Sequence, residues 1–182
     1  GSNTARLLVA DVGSNESIVP VVEERSYLRL GAEIERTGTL GERKIAEAAE
    51  TCGAFARRAR ELGTTRAAVI VTAPGRQGAS AAALTAALGE ATDLPVRALT
   101  ADGEGRLAYD GAVARATGVL PEIVAVVDVG GGSTEIAVGT PLLGAAWIRS
   151  ADVGSLRLTR AHLGDDPPTA AQIAAATDAA AA

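Results

Sequence analysis

Residues 128–135 read DVGGGSTE, and this stretch decides how the fold of the whole chain is interpreted. Apolar segments on both sides of it have the composition and length of β-strands. Its glycines let the backbone approach a ligand closely and adopt positive φ at little cost, and successive N–H groups in such a turn can converge on an anion. The stretch therefore predicts a phosphate-binding turn, in which two residues also carry hydroxyls, made of Gly130, Gly131, Gly132, Ser133 and Thr134.

Two carboxylates bracket this turn, Asp128 before it and Glu135 after it. A carboxylate beside a phosphate site repels the ligand, unless a divalent metal lies between them or the carboxylate orients a water. The alternative is a tight hairpin with solvated flanks, which the glycines alone would favour. The acids and hydroxyls taken together favour a binding site.

Composition narrows the classes of function. The chain has 182 residues and a net charge of -5, and this mild acidity argues against a nucleic-acid binder, which usually has a basic patch. No apolar run reaches the roughly 18 residues of a membrane span, and no signal peptide is visible. A single cysteine excludes an internal disulfide and fits a reducing cytoplasm. Because the sequence contains no methionine, we expect it to be part of a longer chain.

The order of predicted elements indicates an α/β protein, with strands and helices following as ββαβαβα and then βββαα. The pattern restarts near residues 118–122, so two domains are predicted, 1–120 and 121–182. The predicted strands cover 4–12, 18–30, 66–73, 95–99, 123–129, 134–138 and 145–153. Those at 66–73 and 123–129 are short, mostly apolar runs and are predicted to be buried. The predicted helices cover 45–62, 79–88, 104–116 and 156–163, followed by an alanine-rich helix at the end.

Glu104 lies at the start of a predicted helix, in the segment TADGEGRLAYDGA. One interpretation is structural, because an acid favours the positive end of a helix. The other is a general base that takes a proton from an attacking water. The residues alone give these two interpretations equal weight.

Arg76 lies in TAPGRQG, directly after a predicted buried strand. Loops at strand ends of α/β folds are where ligands bind, and a guanidinium can hold a phosphate through two hydrogen bonds. Solvated loop arginines are equally common. Cys52 and His162 are predicted to be structural, and one histidine with one cysteine excludes a His/Cys zinc site.

The tripeptide Gly-Ser-Asn occurs twice, at residues 1–3 and 13–15. Glycine with small polar residues is typical both of phosphate-binding loops and of hairpin turns. The residues of the two copies do not decide between these interpretations.

Together these segments resemble the exopolyphosphatase/guanosine pentaphosphate phosphatase (Ppx/GppA) family, a branch of the actin-like ATPase superfamily. GSNTARLLVADV is similar to the family's first phosphate motif and the strand after it, and VTAPGRQG and GEGRLAYDGA are similar to its arginine and glutamate segments. LRLG, TGTL and SADVGSLRLTRAHLGDDPP match further segments in the same order. DVGGGSTE is the family's second phosphate motif without change.

This resemblance implies an actin-like (ribonuclease H-like) α/β fold, with two lobes whose phosphate motifs face each other across a cleft. It implies hydrolytic release of terminal phosphate from inorganic polyphosphate or guanosine pentaphosphate. The expected partners are these substrates, without nucleic acid or membrane, and with a homodimer as a possible assembly. The second lobe is expected to continue beyond residue 182.

The resemblance also implies roles for individual residues. Ser2, Asn3 and Thr4 would hold phosphate from the first lobe, and residues 130–134 would hold it from the second. The Gly-Ser-Asn copy at 1–3 is then the true loop, because two strands separate it from LRLG, as in the family. The copy at 13–15 becomes the hairpin turn between those strands, and the strand that precedes the loop in the family lies outside this sequence.

The catalytic roles follow from the same resemblance. Glu104 would activate the attacking water, and Arg76 would neutralise charge on the phosphate oxygens. Asp128 and Glu135 would organise Mg²⁺, directly or through water. Catalysis of this kind is mostly positioning and stabilisation of charge.

Some residues depart from the family's pattern. Gln77 stands where the family usually has glutamate, Gly105 where it usually has alanine, and Pro74 and Gly75 alter the arginine loop. These changes motivate an alternative, a non-catalytic sensor that binds polyphosphate or a guanine alarmone. A kinase or chaperone-like ATPase of the same superfamily is a third hypothesis, against which the Glu104 segment argues. A purely structural domain is the least favoured.

Overall fold

The computed structural model describes residues 3–14, 17–76 and 79–181 of the chain. Its contacts divide the chain into two compact units, Gly1–Leu99 and Thr100–Ala182. Both units combine strands with helices, so the predicted α/β class is confirmed. Within the described ranges, no helix combines the length and the apolar character that crossing a membrane requires.

The described part of the first unit contains two sheets of two strands each. The antiparallel pair is β1 (Thr4–Val12) with β2 (Ile18–Tyr27), and the parallel pair is β3 (Val69–Val71) with β4 (Val96–Ala98). The helices are α1 (Leu30–Thr37), α2 (Glu42–Glu61) and α3 (Ala81–Thr92).

The link between β1 and β2 contains the second Gly-Ser-Asn copy, although Asn15 lies outside the described residues. The Gly13 amide donates to the Ser17 carbonyl at 2.9 Å, which closes the connection between the antiparallel strands. The described residues of this copy, Gly13 and Ser14, therefore lie in the connection between β1 and β2, where the hairpin interpretation places them.

Helix α1 is absent from the sequence prediction, which continued the second strand to Leu30 and left the residues after it irregular. That prediction is wrong. Strand β2 ends at Tyr27, and Arg29 adopts a left-handed conformation with φ of 56°, which turns the chain into the helix. Gly38 ends α1 at a φ of 75°, where its missing side chain avoids strain. The glycine after Thr37 was the signal that could have located this helix.

The core of the first unit lies between the helices and the strands. Helix α2 presents the apolar stripe that its spacing predicted, and Gly63 follows its end with a φ of 75°. A cavity of about 510 Å³ is bordered by residues of β1, α2 and β3. The buried cluster comprises Leu28, Leu30, Leu40, Ala48, Val71, Leu84 and Leu88.

Cys52 packs against this cluster and is partly buried, as predicted from its helix face. Burial raises the pKa of the Cys52 thiol because it penalises the charged thiolate. The raised pKa lowers the thiolate fraction at any pH below it. We expect Cys52 to react with iodoacetamide more slowly than a free cysteine peptide, and its rate to keep rising above pH of about 8.5. Mass spectrometry of the Cys52 peptide across pH measures this, and a profile matching the free peptide would contradict it.

The second unit is built on an antiparallel sheet in the order β5-β6-β7. Its strands are β5 (Val124–Val129), β6 (Thr134–Thr140) and β7 (Gly144–Ala151). Its helices are α4 (Ala101–Arg115), α5 (Ser155–His162) and α6 (Ala170–Ala181). Helix α4 covers one face of the sheet, where Tyr109, Ala137 and Ala145 form the buried cluster.

The contacts place α4 in the second unit, because it packs on β6 and β7. The sequence prediction places the domain boundary at residue 120 instead. This boundary assigns α4 to the predicted first domain. For the whole protein that lobe boundary stays a prediction. The packing of α4 has a direct consequence, since Glu104 shares a compact unit with the glycine turn.

Strand β5 is less buried than its apolar sequence predicts. The strand forms within the predicted range, but Val127 and Val129 are 58% and 62% exposed. Both alternate along the strand with Val126, which packs on the α4 side of the sheet. In the described residues, the opposite face of β5 therefore has no comparable cover.

Candidate phosphate and carboxylate site

Three polar residues form a row across the sheet of the second unit. Asp128 on β5 pairs with Glu135 on β6, and Glu135 pairs with Ser150 on β7. Directly opposed residues point to the same face of a sheet. This face is the one that α4 covers, since Glu135 is only 2% exposed and belongs to the alternating buried set of β6.

The buried Glu135 carboxylate has a defined partner. The Ser150 hydroxyl donates to its Oε1 atom at 2.7 Å, and hydrogen bonds to an ionised acceptor are among the stronger ones in proteins. Asp128, at the edge strand of the row, is exposed. The row thus combines one fixed and one accessible carboxylate, beside the turn that joins their strands.

The glycine turn is attached to the first turn of α5. The Ser155 amide donates to the Gly130 carbonyl at 2.9 Å, and the amides of Leu156 and Arg157 donate to the Gly131 carbonyl at 3.0 Å. The first amides of a helix have no partner inside the helix. The glycine turn supplies that partner, so its carbonyls are directed towards α5.

The amides of the same turn differ in their hydrogen bonds. The Gly130 amide donates to the Ser133 carbonyl at 2.9 Å. The amides of Gly131, Gly132 and Ser133 donate to no carbonyl in the described ranges. Three successive N–H groups without protein acceptors are what an anion-binding turn requires. The turn thus has free amides of this kind among the described residues, and phosphate binding by it stays a prediction.

Gly154 makes the attachment of the turn possible. It is buried at the start of α5, and a β-carbon added to it would lie 2.5 Å from the Gly131 carbonyl and 2.6 Å from the Gly132 nitrogen. Carbon atoms do not approach backbone atoms so closely. Glycine is therefore required at this position if the turn is to keep its place.

The two hydroxyls of the turn differ. The Thr134 hydroxyl donates to the Val153 carbonyl, so its single proton is used inside the protein. The Ser133 hydroxyl makes no hydrogen bond with the described residues and is half-buried. Of the two, Ser133 has the hydroxyl better placed to donate to a ligand.

Glu104 is half-buried in the first turn of α4, and its amide donates to the Thr100 carbonyl at 2.9 Å. Thr100 caps this helix by accepting from the Gly103 amide at 3.0 Å. The next residue, Gly105, packs on the carboxylate row, because a β-carbon there would lie 3.6 Å from Cβ of Glu135. The structure thus brings the Glu104 turn of α4 to the buried carboxylate.

Gly105 allows α4 to lie close to β7. A β-carbon on Gly105 would lie 2.7 Å from Cγ2 of Ile148, whereas one on Gly111 of the same helix would meet no described residue within 4 Å.

We expect different stability effects at these two glycines. Alanine raises helix propensity by about 1 kcal/mol over glycine at both, so G111A should stabilise the protein. G105A should be less stable than G111A by about 1–3 kcal/mol, the cost of overpacking. Urea unfolding of both variants measures this difference. Equal stability of the two variants would mean that α4 does not lie so close to Ile148.

The predicted phosphate contacts Ser2, Asn3 and Thr4 belong to the first unit. Ser2 lies outside the described residues. The Asn3 carbonyl accepts from the Leu28 and Arg29 amides at 2.9 Å, which ties the residue before β1 to the link between β2 and α1. Thr4 begins β1 and is half-buried.

Arg76 is half-buried and follows a short 3-10 helix, Ala73–Gly75. Its guanidinium donates to the Leu99 carbonyl. This contact fixes the side chain between the ends of β3 and β4, where the sequence predicted a ligand-binding loop. Contact of Arg76 with phosphate stays a prediction.

The described residues contain no cluster of three or more His, Cys, Asp or Glu side chains suited to a metal. The predicted pair of Asp128 and Glu135 is smaller than such a cluster. The pair is brought together by strand register alone. His162 lies on α5 and is half-buried.

Residues 8–182 match the model of the Ppx/GppA phosphatase family. The chain belongs to this family. Exopolyphosphatase 2 of Mycobacterium tuberculosis is 34% identical over 188 residues, covering 97% of this chain and 57% of the relative. Exopolyphosphatase 1 of Mycobacterium bovis is 29% identical, covering 98% and 51%. The chain therefore spans about half the length of the curated relatives that it matches.

Solved structures of the family agree with the fold. The Ppx/GppA family member of Aquifex aeolicus has a TM-score of 0.77 at 27% identity, covering 94% of this chain and 55% of that structure. An exopolyphosphatase of Cytophaga hutchinsonii has a TM-score of 0.79 at 25% identity, covering 91% and 52%. The predicted actin-like fold class and the predicted family are confirmed.

The sequence prediction missed two residues that hold the parts of this candidate site in place. Gly154 lies in a segment that resembles the family, but no role was assigned to it. Ser150 was given no role in the sequence prediction, because a serine in a strand is common. Its signal was the strand register, which places it opposite Glu135 once the bulge at Val138/Gly139 is known.

Proposed function

We propose that this chain is part of a phosphohydrolase that releases terminal phosphate from inorganic polyphosphate or guanosine pentaphosphate. The observation that carries this proposal is the glycine turn, where the amides of Gly131, Gly132 and Ser133 meet no acceptor among the described residues. Family membership and the names of the exopolyphosphatase relatives support the choice of substrate class.

The turn would bind the terminal phosphate. Its amides are dipoles fixed in advance by α5, and fixed donors stabilise the charge that develops on phosphate oxygens without reorganising. The Ser133 hydroxyl would add a fourth donor. Asn3, Thr4 and Arg76 remain predicted phosphate contacts from the first unit.

Glu104 would act as the general base. A water oxygen attacks the terminal phosphorus, the bond from that phosphorus to the bridging oxygen breaks, and the shortened chain leaves with the bridging oxygen. The Glu104 carboxylate takes the proton that the attacking water loses. Its place on α4, one residue from the contact with Glu135, supports this role.

The carboxylate row offers oxygen atoms, which are the kind of ligand that Mg²⁺ takes. Mg²⁺ prefers carboxylate oxygens and is usually held by one or two carboxylates together with substrate phosphates. Asp128 and Glu135 are two carboxylates on paired strands beside the glycine turn, and they would be the ligands of the ion. When bound, the ion would neutralise negative charge on the phosphate oxygens.

Phosphate release by the full-length protein tests the proposal. Inorganic polyphosphate and guanosine pentaphosphate are supplied separately, with and without Mg²⁺, and released phosphate is measured over time. We expect Mg²⁺-dependent release from at least one of them. Release from neither, by protein shown to be folded, would contradict the proposal.

The sensor alternative has one observation in its favour, since the Arg76 guanidinium already donates to the Leu99 carbonyl. An arginine held by backbone has less freedom to follow a reacting phosphate. Calorimetric binding of the same two ligands separates the hypotheses. Tight binding without any phosphate release would favour the sensor.

A further inference from the structure

Ser150 holds a carboxylate of the proposed site through its side chain. Its hydroxyl donates to Oε1 of Glu135 at 2.7 Å, in a partly buried position. The second carboxylate oxygen of Glu135 accepts no hydrogen bond from the described residues. The two oxygens of this buried side chain are therefore not equivalent.

The side chain of Glu135 is buried, with few other groups in reach that could replace the Ser150 hydrogen bond. It is 2% exposed, and Gly105 of α4 lies over its Cβ and Cγ atoms, to which an added methyl would come within 3.6 and 3.8 Å. A buried carboxylate that loses a hydrogen bond must find another donor or bear the cost of desolvation. Without Ser150, Glu135 would lose the contact that sets its orientation.

We propose that Ser150 is a positioning residue for cation binding, which fixes one oxygen of Glu135 and leaves the other to share a divalent cation with Asp128. This inference rests on the proposed function, because it assigns Asp128 and Glu135 to the same cation. Partners that orient metal ligands in this way typically change metal affinity by about 10–100-fold when they are removed.

Binding of Mn²⁺ to the full-length protein without substrate tests this inference, with the free ion followed by electron paramagnetic resonance. S150T keeps the hydroxyl and S150V replaces it with a methyl of the same shape, so the two variants share any effect of size. We expect S150V and S150A to weaken Mn²⁺ binding by about 10–100-fold, and S150T to bind within about threefold of the wild type.

The outcomes separate this inference from the proposed function. Equal Mn²⁺ affinity of S150T and S150V, with measurable binding by the wild type, would overturn the role of Ser150 alone. Absence of Mn²⁺ binding by the wild type would overturn the cation site itself, and Ser150 with it. If S150A does not fold, the comparison of S150T with S150V still decides, because both have strand-compatible β-branched side chains.

Discussion

Replacing Glu104 with glutamine in the full-length protein is expected to lower the rate of phosphate release by about 10²–10⁴-fold, the usual contribution of a general base. Glutamine has the same shape but cannot take the proton of the attacking water. Substrate binding should change little, because the proposal assigns the phosphate to the glycine turn and not to Glu104. Steady-state kinetics of E104Q, with its melting temperature as a check on folding, measure this effect.

The control for E104Q is D102N. Asp102 is exposed in the same first turn of α4, so both variants remove a negative charge near the positive end of the helix. That loss alone costs about 0.3–1 kcal/mol of stability and should leave turnover near the wild-type rate. An E104Q variant as active as D102N would remove Glu104 from the mechanism.

The second large effect is expected at Gly154. Alanine there would force its β-carbon against the Gly131 carbonyl and the Gly132 nitrogen, which lie 2.5 and 2.6 Å from its position. Backbone atoms cannot give way without moving the phosphate turn. Because displacement of a binding group by about 1 Å can cost about 10²-fold, we expect G154A to lower kcat/KM by at least about 10²-fold.

G164A is the matched control, since Gly164 lies just beyond the same helix. Among the described residues, a β-carbon added to it meets only Nε2 of Gln172, at 3.7 Å. This variant should retain wild-type kcat/KM. The unfolding free energy of G154A should fall by about 1–3 kcal/mol, as for other overpacked positions. Wild-type kinetics of G154A would show that the turn is not held against α5.

Much of the fold could be predicted because local signals agree with tertiary packing. Strand β1 lies at its predicted bounds, and the periodic apolar residues of α2 identified that helix. The glycine turn and the acids on both sides of it could be recognised in the sequence, because few other structures require these residue types in this order. The direct pairing of Asp128 with Glu135 is given by the strand register of the structure.

The rest depended on contacts that sequence spacing does not express. Helix α1 begins only because Arg29 takes a left-handed conformation, which a non-glycine residue rarely adopts. Gly154 approaches residues 131 and 132 through tertiary packing, so nothing in its own segment reveals the need for glycine. The predicted burial of β5 was wrong for Val127 and Val129 because apolar composition does not tell how many faces of a strand are covered.

A crystal structure of the full-length E104Q variant with a short inorganic polyphosphate tests the central claim most directly. We expect oxygens of the terminal phosphate about 2.7–3.1 Å from the amide nitrogens of Gly131, Gly132 and Ser133. The substituted side chain at position 104 should lie at most one water away from the phosphorus. A polyphosphate bound elsewhere, with these amides facing solvent, would contradict the claim.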